Sequence, residues 1–353
     1  MADRVYLDWN ATAPLRPEAR AAMVAALDLV GNPSSVHAEG RAAKAIVERG
    51  REQVAAAVGC RPQEVVFTSG ATEAAAVLRF CDTVVVQETA HDALWAHRRV
   101  PQESGGPAVL AMGLANSETG VVTEPPAAAD GRWQFGELRA DRLLLDVTQA
   151  VGRIPFGFAW SGSDFAILSA HKLGGPKGVG ALIVRQGVDI EALSRGGGQE
   201  MGRRSGTENV AGIAGFGAAA EAAMRDLDDG IWAEVKKLRD ILENAIADAV
   251  SQTIFVGKGA SRLPNTSCFA TPGWKGETQV MAMDLAGFAV SAGSACSSGK
   301  VRESRVLRAM GYDEVTARSA VRVSLGPTTT ESEIGRFVDA WTAAEAKRRA
   351  RAA

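Results

Sequence analysis

One stretch constrains this chain more than any other: a lysine in a glycine-rich turn between two short apolar segments. The segments cover 165–168 and 181–184, and each is bounded by glycine or serine, as buried strands often are. The turn reads Ser169-Ala-His-Lys172-Leu173 followed by Gly-Gly-Pro-Lys-Gly. An ammonium group between buried strands is costly unless it is paired or neutralised. Two interpretations are open: an imine between Lys172 and an aldehyde cofactor such as pyridoxal phosphate (PLP), or a surface hairpin turn with a solvated lysine.

A PLP site also needs a carboxylate beside the pyridine nitrogen, which keeps the ring protonated and able to accept electrons. Asp146 ends the apolar run 142–145 and is followed by Val-Thr-Gln149. An acid at the carboxyl end of a strand lies where open α/β sheets bind ligands. Taken alone, Asp146 would be better interpreted as a strand-end residue that caps the next turn. Its position one strand before Lys172 favours the cofactor site.

Two upstream segments offer further groups for such a site. The predicted strand 65–68 runs into Ser-Gly-Ala71-Thr72 and then a helix, a turn whose N–H groups suit a phosphate, although the same residues could form an ordinary N-cap. His91 follows the predicted strand 83–86. It could stack on the ring and carry protons, because the pKa of histidine is ordinarily about 6.5, or it could simply cap a turn.

Arginines mark two places where an anion could bind. The glycine-rich segment 196–209 contains two arginines, which suits either an anion site or a flexible surface loop. Arg322 lies in the predicted strand 321–325, where an arginine is out of place unless it meets an anion or faces water at a sheet edge. The carboxylate of an amino acid is an anion that a guanidinium grips well.

Taken together, these motifs resemble a known family. The motifs similar to those of the class V aminotransferase group are Asp146-Val-Thr-Gln149-Ala-Val-Gly, Ser169-Ala-His171-Lys172 and Arg204-Ser-Gly-Thr207-Glu-Asn. Gly293-Ser-Ala-Cys296-Ser-Ser-Gly narrows the resemblance to the cysteine desulfurases of the NifS/IscS type. The resemblance extends from Tyr6 to Gly326, which is nearly the whole chain.

The resemblance implies a role for each of these residues. The catalytic residues would be Lys172, Cys296 and His91, and no metal is implied. The residues that would bind PLP are Ala71, Thr72, His91, Asp146, Gln149, Ser169, His171, Lys172 and, at the neighbouring subunit's cofactor phosphate, Thr207. Asn116 and Arg322 would bind the substrate.

The implied activity is a PLP-dependent cysteine desulfurase that converts L-cysteine to L-alanine and leaves a persulfide on Cys296. The sulfur would pass to an acceptor protein, such as an iron–sulfur scaffold, for the assembly of iron–sulfur clusters or another sulfur-containing cofactor. A homodimer with shared active sites is implied. A selenocysteine lyase or a class V transaminase could use the same scaffold, and the role of Cys296 separates them. A scaffold protein without PLP is disfavoured by the intact Lys172, Asp146 and His171.

The implied fold is α/β, the PLP-dependent transferase type I (aspartate aminotransferase-like) fold. We expect a large domain over 13–235 with a mixed, mostly parallel sheet, and a small α/β domain formed by 1–12 and 236–353 that carries the cysteine loop. Strands are predicted over 253–256, 265–270, 288–291 and 321–325 in the small domain. The chain departs from the family after Thr72, where Glu73-Ala-Ala-Ala replaces Glu-Ser-Asn-Asn, and in a shortened region between His91 and Asp146, which indicates a trimmed large domain.

Composition limits the partners of this chain of 353 residues. Its formal net charge is −2 and no block of like charge precedes Lys347, so a nucleic-acid partner is not indicated. No apolar run approaches the length of a membrane span, and a cytoplasmic location is expected. The four cysteines, Cys60, Cys81, Cys268 and Cys296, lack the spacing of a zinc site or a disulfide framework.

Overall fold

The computed structural model describes residues 4–99, 108–135, 138–292 and 303–352. The strands are, in chain order, β1 (Val5–Tyr6), β2 (Val65–Thr68), β3 (Thr83–Val86), β4 (Ala108–Gly113), β5 (Ala128–Ala129), β6 (Arg132–Phe135), β7 (Leu138–Ala140), β8 (Arg142–Asp146), β9 (Phe165–Ser169), β10 (Gly180–Val184), β11 (Ile254–Phe255), β12 (Thr266–Ala270), β13 (Phe288–Ala289), β14 (Ser291–Ala292) and β15 (Ala320–Ser324). The α-helices are α1 (Pro17–Leu27), α2 (Ala38–Val58), α3 (Ala71–Ala74), α4 (Asp92–Trp95), α5 (Phe158–Ser161), α6 (Val210–Asp228), α7 (Ile231–Ala249), α8 (Gly276–Leu285), α9 (Arg305–Ala309), α10 (Glu314–Arg318) and α11 (Glu331–Ala352).

Two compact units are formed, each from separate stretches of the chain. The larger unit comprises Ala13–Ala115 and Thr123–Asp228, and the smaller comprises Met1–Thr12, Asn116–Val122 and Asp229–Ala353. The chain passes into the smaller unit for the last time between α6 and α7, where Gly230 takes a left-handed conformation with φ 73°. The boundary expected from sequence, between 235 and 236, falls inside α7.

The larger unit is built on a six-stranded sheet in the order β2-β10-β9-β8-β4-β3. Strands β9, β8, β4 and β3 are mutually parallel, and β10 runs antiparallel to both of its neighbours. The expected mixed, mostly parallel sheet is therefore confirmed. Every residue of β2, β3, β9 and β10 is buried, which suits continuous apolar runs in a sheet covered on both faces. Because β2 and β9 are both antiparallel to β10, they are parallel to each other. The carboxyl ends of the five parallel strands β2, β9, β8, β4 and β3 therefore lie at the same edge of the sheet.

A small antiparallel sheet, β5-β6-β7, lies in the region that the sequence indicated as trimmed. Its first turn is Asp130-Gly131, and both residues have positive φ, 52° and 72°. Two residues of this conformation form the tight turn that matches the twist of paired strands. The shortened region thus keeps regular structure in the stretch after Asn116.

The smaller unit contains an antiparallel sheet, β11-β12-β15-β14, and a parallel pair, β1 and β13. Its core is aromatic: the rings of Phe269 and Trp341 meet edge to face at 5.4 Å, and the Trp341 indole donates to Gln279 Oε1. Helix α11 begins with the capping box that its sequence predicted, in which the Thr330 and Glu333 side chains each accept from the other's backbone N–H. These contacts fix the last helix on the sheet that carries Arg322.

Candidate active site

The predicted cofactor lysine lies at the carboxyl edge of the larger unit's sheet. Strand β9 ends at Ser169, and a single 3₁₀ turn, Ala170–Lys172, follows it. Hydrogen bonds hold the main chain of this turn: Ala13 N donates to His171 O at 2.8 Å, and Arg153 Nη2 donates to Lys172 O at 2.9 Å. The lysine is therefore carried by a fixed turn directly after a buried strand.

His171 is neutral at neutral pH. Its burial, followed by the positive charges of Lys172 and Lys177, lowers the pKa of the imidazole to about 4. A neutral histidine keeps one N–H donor and one acceptor nitrogen. His171 can therefore form hydrogen bonds beside the lysine without adding a positive charge to it.

Asp146 and Gln149 lie on the neighbouring strand β8 and the turn after it. The Asp146 carboxylate accepts the Thr148 N–H through Oδ1 at 3.0 Å. Gln149 is buried, and its Oε1 accepts a hydrogen bond from Arg153. Arg153 thus connects Gln149 to the main chain of Lys172, and our sequence analysis did not identify it. The sequence feature that could have identified Arg153 is its spacing of four residues from Gln149, because this spacing places both side chains on one side of a helical turn.

The glycine turn after β2 lies against the end of β9. Ala71 N donates to the Ser169 hydroxyl at 2.8 Å. A Cβ on Gly180 would lie 2.5 Å from Leu168 O and 2.6 Å from Gly70 Cα, so only glycine allows this approach of three backbone segments. Thr72 is exposed in the first turn of α3, which continues as a 3₁₀ segment over Ala75–Phe80.

Glu73 connects this turn to the loop that carries Thr207. Its carboxylate accepts Arg204 Nε at 3.0 Å and Ser69 N at 2.6 Å. Burial opposes ionisation of Glu73, but these hydrogen bonds and the charge of Arg204 outweigh it and hold its pKa below the usual value. Thr207 itself is exposed.

The same loop is anchored by a buried ion pair. Glu200 accepts Arg51 Nη1 and Nη2 at 2.8 and 2.9 Å, and also Phe67 N of β2 at 2.8 Å. Glu200 and the next residue, Met201, both have left-handed φ values, 49° and 57°. Such a conformation is costly for residues other than glycine and persists where surrounding contacts enforce it. The glycine-rich segment is therefore held in place rather than loosely attached.

His91 lies beyond β3 on the same sheet edge and forms the N-cap of α4. Its Nδ1 accepts the Ala93 N–H at 3.1 Å. Because Nδ1 accepts, a neutral His91 carries its proton on Nε2. In that tautomer Nε2 is the donor nitrogen of the ring.

The smaller unit brings Arg322 and the Asn116 turn together. Arg322 lies in the middle of β15 and is only 4% exposed. Its Nη1 donates to Ser117 O at 2.9 Å, and its Nη2 donates to Asp8 Oδ1 at 2.6 Å. Asn116 Oδ1 accepts the N–H groups of Glu118 and Thr119, both at 2.9 Å, which shapes a tight turn. The two residues predicted to bind substrate are thus linked through Ser117.

Cys296 lies outside the described residues. The three described cysteines are all free thiols. Burial raises the pKa of Cys60 and of Cys268 to about 12 and also raises that of Cys81. A thiol attacks as its thiolate, so these three are poor nucleophiles at neutral pH. Within the described ranges no cluster of three histidine, cysteine or acidic side chains could hold a metal ion, and no helix has the length and apolar character of a membrane span.

The groups at this sheet edge suit PLP. Lys172 supplies an amine, Asp146 supplies a carboxylate one strand away, and the Ala71 turn is pressed against Ser169 because Gly180 leaves room for it. Neighbouring strands lie about 4.8 Å apart, so these groups are within the span of one small aromatic cofactor.

Comparison with known proteins agrees with this chemistry. The family model described as Aminotransferase class-V matches residues 5–105 and 104–337. A cysteine desulfurase from Cereibacter sphaeroides is 39% identical, covering 96% of this chain and 94% of the relative. An IscS-like cysteine desulfurase from Mycobacterium tuberculosis is 33% identical, with 98% and 97% covered. The solved NifS-like protein from Rickettsia africae is 28% identical, with a TM-score of 0.83 over 96% of this chain and 98% of that one. The chain belongs to the class-V aminotransferase family, in the PLP-dependent group of NifS/IscS-type cysteine desulfurases, and has their type I transferase fold.

Proposed function

We propose that the protein is a PLP-dependent cysteine desulfurase that converts L-cysteine to L-alanine and holds the sulfur as a persulfide on Cys296. The observation that carries this proposal is that a chain similar over 96% of its length to a cysteine desulfurase holds Lys172 and Asp146 at the ends of neighbouring strands. The amine and the carboxylate are the two protein groups that PLP chemistry requires.

In this proposal the larger unit holds the cofactor. Lys172 would hold PLP through its aldehyde carbon, Asp146 would keep the ring nitrogen protonated, and the Ala71–Thr72 turn would bind the phosphate. Gln149, Ser169 and His171 complete the cofactor site, and the neutral state of His171 supports a hydrogen-bonding role. When bound, PLP withdraws electrons from the α-carbon of an amino acid. Lys172 and His91 move the protons, and the proton on His91 Nε2 supports that role.

The smaller unit supplies the groups for substrate and sulfur. Arg322 binds the α-carboxylate with the help of Asn116. The Cys296 thiolate attacks the substrate sulfur, the carbon–sulfur bond breaks with its electron pair left on carbon, and a proton on that carbon completes alanine. The sulfur remains as Cys–S–SH. The high pKa values of Cys60 and Cys268 support the choice of Cys296, because neither of them is a ready thiolate.

Replacing Cys296 tests this function. Cys296→Ala should still bind PLP and still change the cofactor spectrum when L-cysteine is added, because Lys172 and Arg322 remain. Its release of alanine from cysteine should stop. The matched control is Cys60→Ala, which removes a thiol with a pKa of about 12 and should leave alanine release unchanged.

The alternatives give different results in the same assay. Alanine released from cysteine at the wild-type rate by Cys296→Ala would overturn the persulfide mechanism and leave a lyase that expels sulfur directly. Conversion of cysteine to its 2-oxo acid, with amination of an added 2-oxo acid and no sulfur removed, would indicate a transaminase. A wild-type preference for selenocysteine over cysteine would indicate a selenocysteine lyase.

We further propose a homodimer in which Thr207 serves the cofactor phosphate of the partner subunit. Large apolar side chains are unusually exposed between residues 15 and 36, and they are Leu15, Val24, Leu27, Leu29, Val30 and Val36. Concentrated exposed apolar surface is typical of a protein–protein interface. The exposed position of Thr207 on a loop fixed by Glu200 supports a role beyond its own subunit.

The destination of the sulfur follows from the same proposal. The persulfide would pass to an acceptor protein, such as an iron–sulfur scaffold, in the cytoplasm. Free thiols at all three described cysteines support a reducing compartment. We also propose that the two units correspond to a cofactor-binding domain and a smaller domain that carries the Cys296 loop.

A further inference from the structure

Asp8 is the side chain that meets the guanidinium of Arg322. Its Oδ1 accepts Arg322 Nη2 at 2.6 Å, and its Oδ2 accepts the Ser291 hydroxyl at 2.7 Å. The side chains of Arg322 and Asp8 are 5% and 15% exposed. Both carboxylate oxygens are therefore engaged in a nearly dry environment, where ionic hydrogen bonds are strong and directional.

The backbone fixes Asp8 beside the strand of Arg322. Trp9 N donates to Ser324 O at 3.2 Å, and Ser324 N donates to Leu7 O at 2.9 Å. Asp8 thus forms a parallel bridge with Ser324, two residues after Arg322. The main chain on either side of Asp8 is held by these bonds, and its carboxylate is held by the Ser291 hydroxyl. It can therefore set the orientation of the guanidinium instead of following it.

One donor of this guanidinium has no partner in the described structure. Arg322 Nε is buried and forms no hydrogen bond, whereas Nη1 serves Ser117 O and Nη2 serves Asp8. A buried donor without a partner costs free energy, so it marks a place that a ligand atom can fill. Nη2 carries two hydrogens, and only one serves Asp8. Nε and the second Nη2 hydrogen form a side-on fork that matches the two oxygens of a carboxylate.

We propose that Asp8 is a positioning residue that holds Arg322 by Nη2, so that the fork of Nε and Nη2 is aimed at the α-carboxylate of the amino-acid substrate. Ser291 in turn fixes Asp8. This inference rests on the proposed function, because it takes Arg322 as the carboxylate-binding residue. It also accounts for specificity between an amino acid and an amine. The Asp8 carboxylate favours the amino acid by orienting Arg322, although Asp8 does not contact the substrate.

Two other roles for Asp8 give different outcomes. If Asp8 only neutralises a buried charge, its loss affects all ligands alike through stability. If Asp8 competes with the substrate for Arg322, its loss strengthens the binding of carboxylates. The positioning role alone weakens carboxylate binding selectively.

The experiment compares L-alanine with ethylamine, which is alanine without its carboxylate. Each ligand is titrated into the PLP-loaded protein, and its dissociation constant is read from the change in the cofactor absorption band. Asp8→Asn should weaken L-alanine about tenfold, equivalent to ~1.4 kcal/mol, and leave ethylamine unchanged. Ser291→Ala should give a smaller loss of the same kind. The matched control is Asp284→Asn, which makes the same chemical change in the exposed ion pair with Arg4 and should alter neither ligand.

An equal change for both ligands, or tighter binding of L-alanine by Asp8→Asn, would overturn the proposal. If Asp8→Asn does not fold, Ser291→Ala decides, because an unchanged ratio of the two dissociation constants there also overturns it. The variant Arg322→Lys separates this inference from the function on which it rests. If Arg322→Lys leaves the ratio at the wild-type value, Arg322 is not the carboxylate-binding residue, and the error lies in the proposed function.

Discussion

The buried pair of Arg51 and Glu200 permits a sharp test of how the glycine-rich loop is held. Their side chains are 7% and 2% exposed. Glu200 accepts two hydrogen bonds from Arg51 and one from Phe67 N. Burial disfavours the charged form of Arg51, but the hydrogen bonds and charge of Glu200 outweigh it and raise the pKa of Arg51. The buried charge of Arg51 therefore depends on Glu200.

We expect Glu200→Leu to lower the free energy of unfolding by about 3–5 kcal/mol, because it leaves the Arg51 charge buried without its main partner. Arg51→Met should cost a similar amount, since it leaves the Glu200 carboxylate with only the Phe67 N–H. The double variant should be less damaged than the sum of the two singles, by at least about 2 kcal/mol, because no unpaired buried charge remains.

Calorimetry on the four proteins measures this coupling. For a unit of this size, a loss of about 3 kcal/mol should lower the unfolding temperature by roughly 6–12 °C. Hydrogen exchange of the Phe67 amide gives a local measurement, because that N–H donates directly to Glu200 and should exchange faster in Glu200→Leu. Single variants that each cost under about 1 kcal/mol, or a double variant equal to their sum, would refute the reasoning.

Three further predictions concern the cofactor site. Borohydride reduction of the PLP-loaded protein, followed by peptide mapping, should find the modification on Lys172, and modification of Lys177 would show that the site is misassigned. Mixed dimers of a Lys172→Ala chain with a Thr207→Ala chain should regain activity, because one composite site then has both residues; inactive heterodimers would count against a shared site. Because the pKa of His171 is lowered to about 4, its contribution to stability is complete above about pH 6.5 and is lost as the pH falls towards 4. The free energy of unfolding of the cofactor-free protein should therefore fall less between pH 6.5 and pH 4 in His171→Gln than in the wild type. The difference should be up to ~2 kcal/mol, a value that allows for the partial exposure of His171. An equal fall in the two proteins would contradict this.

The sequence predicted those parts of the fold that local patterns specify. The apolar runs at 65–68, 83–86, 142–145, 165–168 and 181–184 all became strands of one sheet. Because the active groups follow these runs directly, their meeting at one sheet edge was foreseeable. The hairpin of β5 and β6 was missed, although Asp130-Gly131 is a strong two-residue turn signal. Its flanking strands are too short to show alternation.

Pairing choices and long-range contacts were not predictable in the same way. The run 288–291 resembles one strand, yet it divides at Val290 into β13, which pairs with β1, and β14, which pairs with β15. Partner strands far away in the chain decide this division. Glu200 and Arg51 are 149 positions apart, and no local periodicity connects them. Arg322 was identified because a charge in an apolar strand is locally anomalous, but its partner Asp8 was not.

The bond between Asp8 and Arg322 spans 314 positions, and that between Asp8 and Ser291 spans 283. During synthesis, strand β1 and the Asp8 carboxylate therefore leave the ribosome long before β13, Ser291 and Arg322, with which they pair, exist. At about 5–20 residues per second, the interval is roughly 15–60 s. The whole of 13–228 is translated in that interval and can fold first, since its sheet needs nothing from the chain beyond it. The order of synthesis thus makes the site that we propose for the substrate carboxylate one of the last features of the molecule to form.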